Sequence, residues 1–271
     1  MTTDYMYRKR QAGQKGLVVR DLTLQFGGVR ALDGVSFEVE PGELLSIIGP
    51  NGAGKSSVLN CISGFYRPQS GSVVLGGHEI TGMKPHRIAG QGVGRVFQNV
   101  ELFSHLTVLE NVMLGRHHLL RPRWFSDLLY FAPRGLRREL EHRKVAEEIL
   151  DFIEIERYRD VPVGQLSYGV QKRVELGRAL AMDPSVLLLD EPVGGMNQEE
   201  TEDMVRYILD VKEQLGVTTI LIEHHMGVVV DISDRVVVVD FGRKVAEGDP
   251  REIANHPEVQ RVYLGESGVT L

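Results

Sequence analysis

The chain has 271 residues, 42% hydrophobic and 25% charged, the balance of a globular protein with ample core. Its formal charge of −6 weighs against a nucleic-acid binder, which carries a basic stripe. One cysteine, Cys61, rules out an internal disulfide and fits a reducing compartment.

Residues 1–16, MTTDYMYRKRQAGQKG, lack an apolar centre and read as a flexible polar tail, not a signal peptide. No apolar run reaches the roughly 20 residues needed to span a bilayer, so a membrane role needs a partner. Residues 35–40, VSFEVE, alternate apolar and polar as a half-exposed antiparallel strand does; 17–26 and 71–77 are similar but less regular. Residues 44–48, 186–190, 218–223 and 236–240 are mostly unbroken apolar runs, the pattern of strands covered on both faces in a parallel sheet. The expected fold is therefore α/β, with a small antiparallel layer beside a P-loop core.

After the run at 44–48, Gly49, Gly52, Gly54, Lys55 and Ser56 satisfy the spacing G-x-x-x-x-G-K-[ST]. Such a loop wraps backbone N–H groups around phosphates, the lysine reaching the β- and γ-phosphates and the serine ligating Mg²⁺. The predicted binding loop comprises Gly49, Pro50, Asn51, Gly52, Ala53, Gly54, Lys55, Ser56 and Ser57. Residues 55–63 read as the following helix, stopped by Gly64, with Cys61 in its core.

Between about 99 and 180 the pattern turns helical. Residues 107–115 start at Thr107, and 137–155 form a charged amphipathic helix with Leu140, Val145, Ile149, Phe152 and Ile153 on its apolar stripe. The stretch 116–135, with Trp124, Phe125, Tyr130 and Phe131, has no period and reads as an inserted excursion. At 165–184, Ser167 is a predicted N-cap and Pro184 bounds the helix. Gly169 in the first turn allows close approach to the backbone, and the absence of an acid there leaves a helix end suited to phosphate. The run at 186–190 ends in Asp190 and Glu191: Asp190 suits a strand-end Mg²⁺ aspartate, and Glu191 suits a group that orients or deprotonates water. The histidine pairs 117–118 and 224–225 are not expected to chelate one metal, because neighbours on a strand or helix diverge. The end of the chain gives one short helix and a loose tail.

With these motifs in this order, and with LSYGV at 166–170, the chain resembles the ATP-binding subunits of ABC transporters from about residue 17 to 265. The resemblance implies a P-loop NTPase (RecA-like) core with a small antiparallel β-subdomain and a helical subdomain at about 99–180. It implies an ATPase using ATP and Mg²⁺. At matching positions it puts Phe26 on adenine and Gln98 in a loop that senses Mg²⁺ and contacts a membrane partner. Ser167 and Gly169 would face the γ-phosphate bound to a second subunit, His224 would be the switch histidine, and Asn197 would stand at the dimer interface. The implied partners are a second ABC ATPase subunit, packed head to tail, integral-membrane permeases and, indirectly, a substrate-binding protein. The place is the cytoplasmic face of the inner membrane, and no nucleic acid is implied. Tyr168, Val170 and Asn197 depart from the usual glycine, glutamine and aspartate, which leaves room for an altered hydrolysis rate.

Residues 99–118, 166–180, 218–239 and 256–266 most resemble ATPases of bacterial branched-chain (hydrophobic) amino-acid importers, and the excursion at 116–135 their larger ATPase subunit. Other cargoes (urea, amides, aromatic acids, lipopolysaccharide export) and a soluble ABC scaffold are the alternatives. A GTPase or small-molecule kinase lacks support, since no N-K-x-D motif occurs.

Overall fold

The computed structural model describes residues 15–119 and 133–264. The four unbroken apolar runs lie together in a six-stranded sheet of order β10-β9-β3-β8-β7-β6. In it β3 is Leu44–Ile48, β6 Val93–Val96, β7 Val186–Asp190, β8 Thr218–Ile222, β9 Arg235–Asp240 and β10 Arg243–Gly248. All neighbours are parallel except β10, which returns antiparallel along β9. Alternation of side chains explains the unbroken runs. Leu45, Ile47, Leu188, Ile220, Ile222, Val237 and Val239 face one core, while Leu44, Leu187, Leu189 and Leu221 face another.

The first core is closed by an antiparallel sheet of order β2-β1-β4-β5: Leu17–Phe26 (β1), Val29–Val39 (β2), Ser70–Leu75 (β4) and His78–Glu79 (β5). Between the sheets lies α1, Lys55–Ile62, with Val58, Leu59, Cys61 and Ile62 buried. Burial pushes the Cys61 thiol up to about 12, so it acts as a packing group. The short α2 is Pro85–Ala89.

The second core is covered by helices: α3 (Val108–Gly115), α4 (Pro133–Phe152), α5 (Tyr168–Ala181) and α6 (Gln198–Leu215). Thr107 caps α3 through a capping box with Glu110. Gly115 of α3 lets that helix press on α5; an added Cβ would lie 2.2 Å from Arg178 O. The last described helices are α7 (Met226–Ile232), α8 (Pro250–Ala254) and α9 (Pro257–Leu264), packed on β9 through Ile253 and Val259.

Several expectations shift. Strand β2 starts at Val29, well before 35, and β8 stops at Ile222, so Glu223, His224 and His225 lie in a loop. The opposite-faces argument for the two histidines therefore does not apply. Leu140 is 57% exposed and is not part of the apolar stripe of α4. Trp124, Phe125, Tyr130 and Phe131 lie outside the described residues. Lys15 and Gly16, read as tail, are bonded into the fold: Gly76 N–H donates to Gly16 O, and the Thr218 hydroxyl to Lys15 O. Among the described residues no helix is long and apolar enough to cross a membrane.

Candidate active site

The parallel strands β3, β6, β7 and β8 deliver their following loops to one edge of the sheet. The loop after β3 is fixed by its own neighbours. At Gly49 (φ +148°) an added Cβ would lie 1.9 Å from Val239 O, and at Gly54 (φ +104°) 2.6 Å from Ala31 O. Those two glycines are thus required by close packing on β9 and β2. Helix α1 begins at Lys55 with Gly54 as N-cap, no side-chain cap and no acid in its first turn, so its end presents N–H groups to an anion. The buried Lys55 Nζ curls back to donate to Gly49 O (2.7 Å) and Pro50 O (2.9 Å).

At the end of β7, Asp190 is 4% exposed and has both oxygens engaged. Ser56 Oγ donates to Oδ1 at 3.3 Å, and the Arg95 guanidinium donates to Oδ2 at 2.9 Å. Arg95 also donates to Asn60 Oδ1 (2.7 Å) and Ser63 Oγ (2.8 Å), with Phe97 and Phe65 over its guanidinium at 4.7 and 5.6 Å. Burial lowers the Arg95 pKa and the Asp190 charge opposes that shift. Glu191 takes a left-handed backbone (φ 48°), with its N–H bonded to Ile222 O. Its Oε2 accepts from Gln98 Nε2 at 2.9 Å and lies 3.9 Å from His224 Nδ1. The structure therefore brings Lys55, Ser56, Gln98, Asp190, Glu191 and His224 to one edge of the sheet.

The hard oxygens of Ser56 and Asp190 suit a small divalent cation such as Mg²⁺, while Gln98 is placed by its bond to the neighbouring Glu191. Among the described residues no cluster of three or more His, Cys, Asp or Glu side chains offers a transition-metal site.

Phe26, at the tip of the β1–β2 hairpin, is 47% exposed and packs edge-to-face on Tyr66 at 5.0 Å. Ser167 occupies the N-cap of α5 with extended backbone (φ −61°, ψ 156°), but its side chain makes no cap bond. Gln171 Nε2 instead donates to Leu166 O at 2.9 Å. Among the described residues no hydrogen bond joins Ser167 or Gly169 to residues 49–57. The end of α5 has no acid of its own, yet one approaches from α6: an added Cβ at Gly169 would lie 2.4 Å from Glu200 Oε1. Glu200 is held there by a capping box with Asn197, the N-cap of α6.

Among the described residues, five buried charged side chains escaped the sequence reading: Arg95, Arg116, Lys172, Glu175 and Glu223. Glu223 is fully buried and accepts from Val193 N (3.4 Å) and His224 N (3.2 Å), which ties the loop after β7 to the loop after β8. Burial pushes its pKa up. The available signal was an acid closing an apolar strand, the same one that marked Asp190.

A glycine loop seating a buried lysine, a serine bonded to a strand-end aspartate and a second acid beside a glutamine and a histidine define a P-loop NTPase. Known proteins agree and narrow the class. The family described as ABC transporter matches residues 32–194, more than half of the chain, and that described as branched-chain amino acid ATP-binding cassette transporter matches 243–269. BraF of Pseudomonas aeruginosa, a high-affinity branched-chain amino acid transport ATP-binding protein, is 41% identical over 251 residues, covering 93% of this chain and 98% of its own. A solved ADP conformation of MJ1267, an ATP-binding cassette of an ABC transporter, superposes with TM-score 0.80 at 31% identity over 93% of this chain and 100% of that one. A dimeric post-hydrolysis structure of the cassette MJ0796, bound to ADP and Pi, gives TM-score 0.72 at 29% identity over 87% and 99%. The chain belongs to the ATP-binding cassette family of ABC transporters, and it is an ATPase of that family.

Proposed function

We propose that the chain is the ATP-hydrolysing subunit of an importer of branched-chain or other hydrophobic amino acids. The observation that carries the hydrolytic part is the 2.9 Å bond from Gln98 to Glu191 beside the Ser56–Asp190 pair. The cargo rests on the 41% identity to BraF and on the match at 243–269.

In this reading residues 17–265 form one cassette, with its helical subdomain at about 99–180. The loop amides from Gly49 to Ser57 and Lys55 hold the ATP phosphates, and Phe26 offers its open ring face to adenine. Ser56, Asp190 and Gln98 would hold Mg²⁺, which neutralises charge on the phosphates. Glu191 orients and deprotonates the attacking water, and His224 holds the γ-phosphate side of the site. Ser167 and Gly169 act on the nucleotide of a second subunit packed head to tail. Cleavage removes contacts that join the two subunits, so the populations of closed and open dimer shift. A permease at the cytoplasmic face of the inner membrane takes up that motion, fed by a substrate-binding protein outside.

Subunit mixing tests the shared site. K55A and S167R chains should each be inactive alone and regain hydrolysis when mixed, since one composite site then keeps both intact halves. Mixtures that stay dead while wild type is active would remove the head-to-tail arrangement. Deleting the chain should abolish leucine, isoleucine and valine uptake; unchanged uptake of all three would remove the cargo assignment.

A further inference from the structure

Segment 97–101 leaves β6 and carries Gln98 to Glu191. The side chains that hold its backbone stand at i, i+3 and i+6 on α5. Lys172 Nζ donates to Phe97 O at 2.8 Å and to Gln98 O at 2.6 Å. Glu175 Oε1 accepts from Glu101 N at 3.3 Å, and Arg178 donates to Glu101 O. Lys172 and Glu175 lie 3.5 Å apart and both are fully buried; Arg178 is 3.8 Å from Glu175.

Burying two such charges removes their hydration, and their mutual attraction offsets that loss only when the geometry is good. Here 3.5 Å is loose, and among the described residues Glu175 Oε2 has no hydrogen-bond partner. Burial accordingly lowers the Lys172 pKa and raises that of Glu175. Two apolar side chains of similar size would fill these positions with a smaller penalty. What apolar residues lack is the donors that Lys172 places on the two successive carbonyls of Phe97 and Gln98, which flank the Gln98 Cα.

We propose that Lys172, braced by Glu175, is a positioning residue that locks the Gln98 segment to α5, so that segment and helix move as one body. Lys172 stands three residues beyond Gly169, so a shift at the N-terminal end of α5 is delivered to Glu191 through the Gln98 bond. The role in turnover rests on the reading of Gln98 and Glu191 given above; the anchoring itself does not.

The test uses the full chain and the variants K172M, K172R and Q98A, with the charge-balanced K172M/E175Q read wherever K172M fails to fold. Loss of the lysine should lower kcat about tenfold with KM for ATP within about twofold, and K172R should recover most of the rate. Combined with Q98A it should add no further loss, because both act through one bond. Amide exchange at 97–101 should quicken by about tenfold, with α5 protection unchanged. Losses that multiply with Q98A, or unchanged exchange at 97–101, would overturn the proposal. Absence of hydrolysis in wild type would instead sink the functional reading, and the exchange result would still decide whether Lys172 anchors the segment.

Discussion

Gln98 and Glu191, 93 residues apart in sequence, are joined by a 2.9 Å bond from Nε2 to Oε2 across the ends of β6 and β7. That bond fixes one carboxylate oxygen and leaves the other for water. Replacing the acid with its amide keeps the shape and removes the base. E191Q should lower ATP turnover by at least about 100-fold while the dissociation constant for ATP changes only a few-fold. Steady-state phosphate release and nucleotide binding measured on the same preparation check both halves. Normal turnover by E191Q would remove Glu191 from the chemistry.

The fold was legible where burial is two-sided and local. The runs at 44–48 and 186–190 fold as strands with those bounds, because every residue in them is buried. Strand β6 was not legible: in VGRV, a Cβ at Gly94 would press on Pro184 (3.1 Å) and Ala179 O (3.3 Å), and Arg95 pairs with Asp190, all far away in sequence. Lys172 and Glu175 read as ordinary helical charges because only the distant segment 97–101 accounts for their burial. The P-loop and the acid pair were legible because their chemistry is carried by adjacent residues. The neighbour of Gly169 was not, since Glu200 comes from another helix.

That neighbour makes a prediction. A methyl at Gly169 meets Glu200 Oε1 at 2.4 Å and Cγ at 2.8 Å, so Glu200 must swing away and give up its bond to Asn197 N. G169A should therefore destabilise the chain by about 1 kcal/mol, the scale of a lost cap. E200A should cost a similar amount. The double variant should cost little more than either, which denaturant melts of the four proteins measure.

Glu154 joins the end of α4 to α6: Arg206 donates to both its oxygens at 2.8 and 2.9 Å, and Tyr207 OH to Oε2 at 2.9 Å. The Arg206 hydrogen bonds, with that from Tyr207, hold its pKa down to about 2 from 4.5. A depressed carboxylate contributes stability above its unfolded value, and the contribution disappears as pH falls through the folded value. Wild type should exceed E154Q in Tm above pH 4.5, and the gap should close towards pH 2. The side chain is 57% exposed, so screening keeps the gap to roughly 2–4 °C, narrower in high salt.

Glu223 carries the opposite sign. Burial raises its pKa above 4.5, against the bonds from Val193 N and His224 N that favour the charged form. Its proton-linked stability is complete below about pH 4.5 and is lost as pH rises through the raised value. Glutamine keeps an oxygen for both N–H groups and has nothing to titrate. E223Q should match wild type in Tm near pH 4.5 and exceed it at pH 8. Leucine has no acceptor, so E223L should fall about 2 kcal/mol below E223Q at every pH because the Val193 and His224 N–H groups lose their partner. Melting curves across pH separate the two effects: a gain for E223Q at pH 8 reports the buried charge, and the loss in E223L reports the bridge between the loops after β7 and β8. If E223Q instead lost stability at pH 8, the backbone bonds would outweigh burial and the carboxylate would be held charged in the fold.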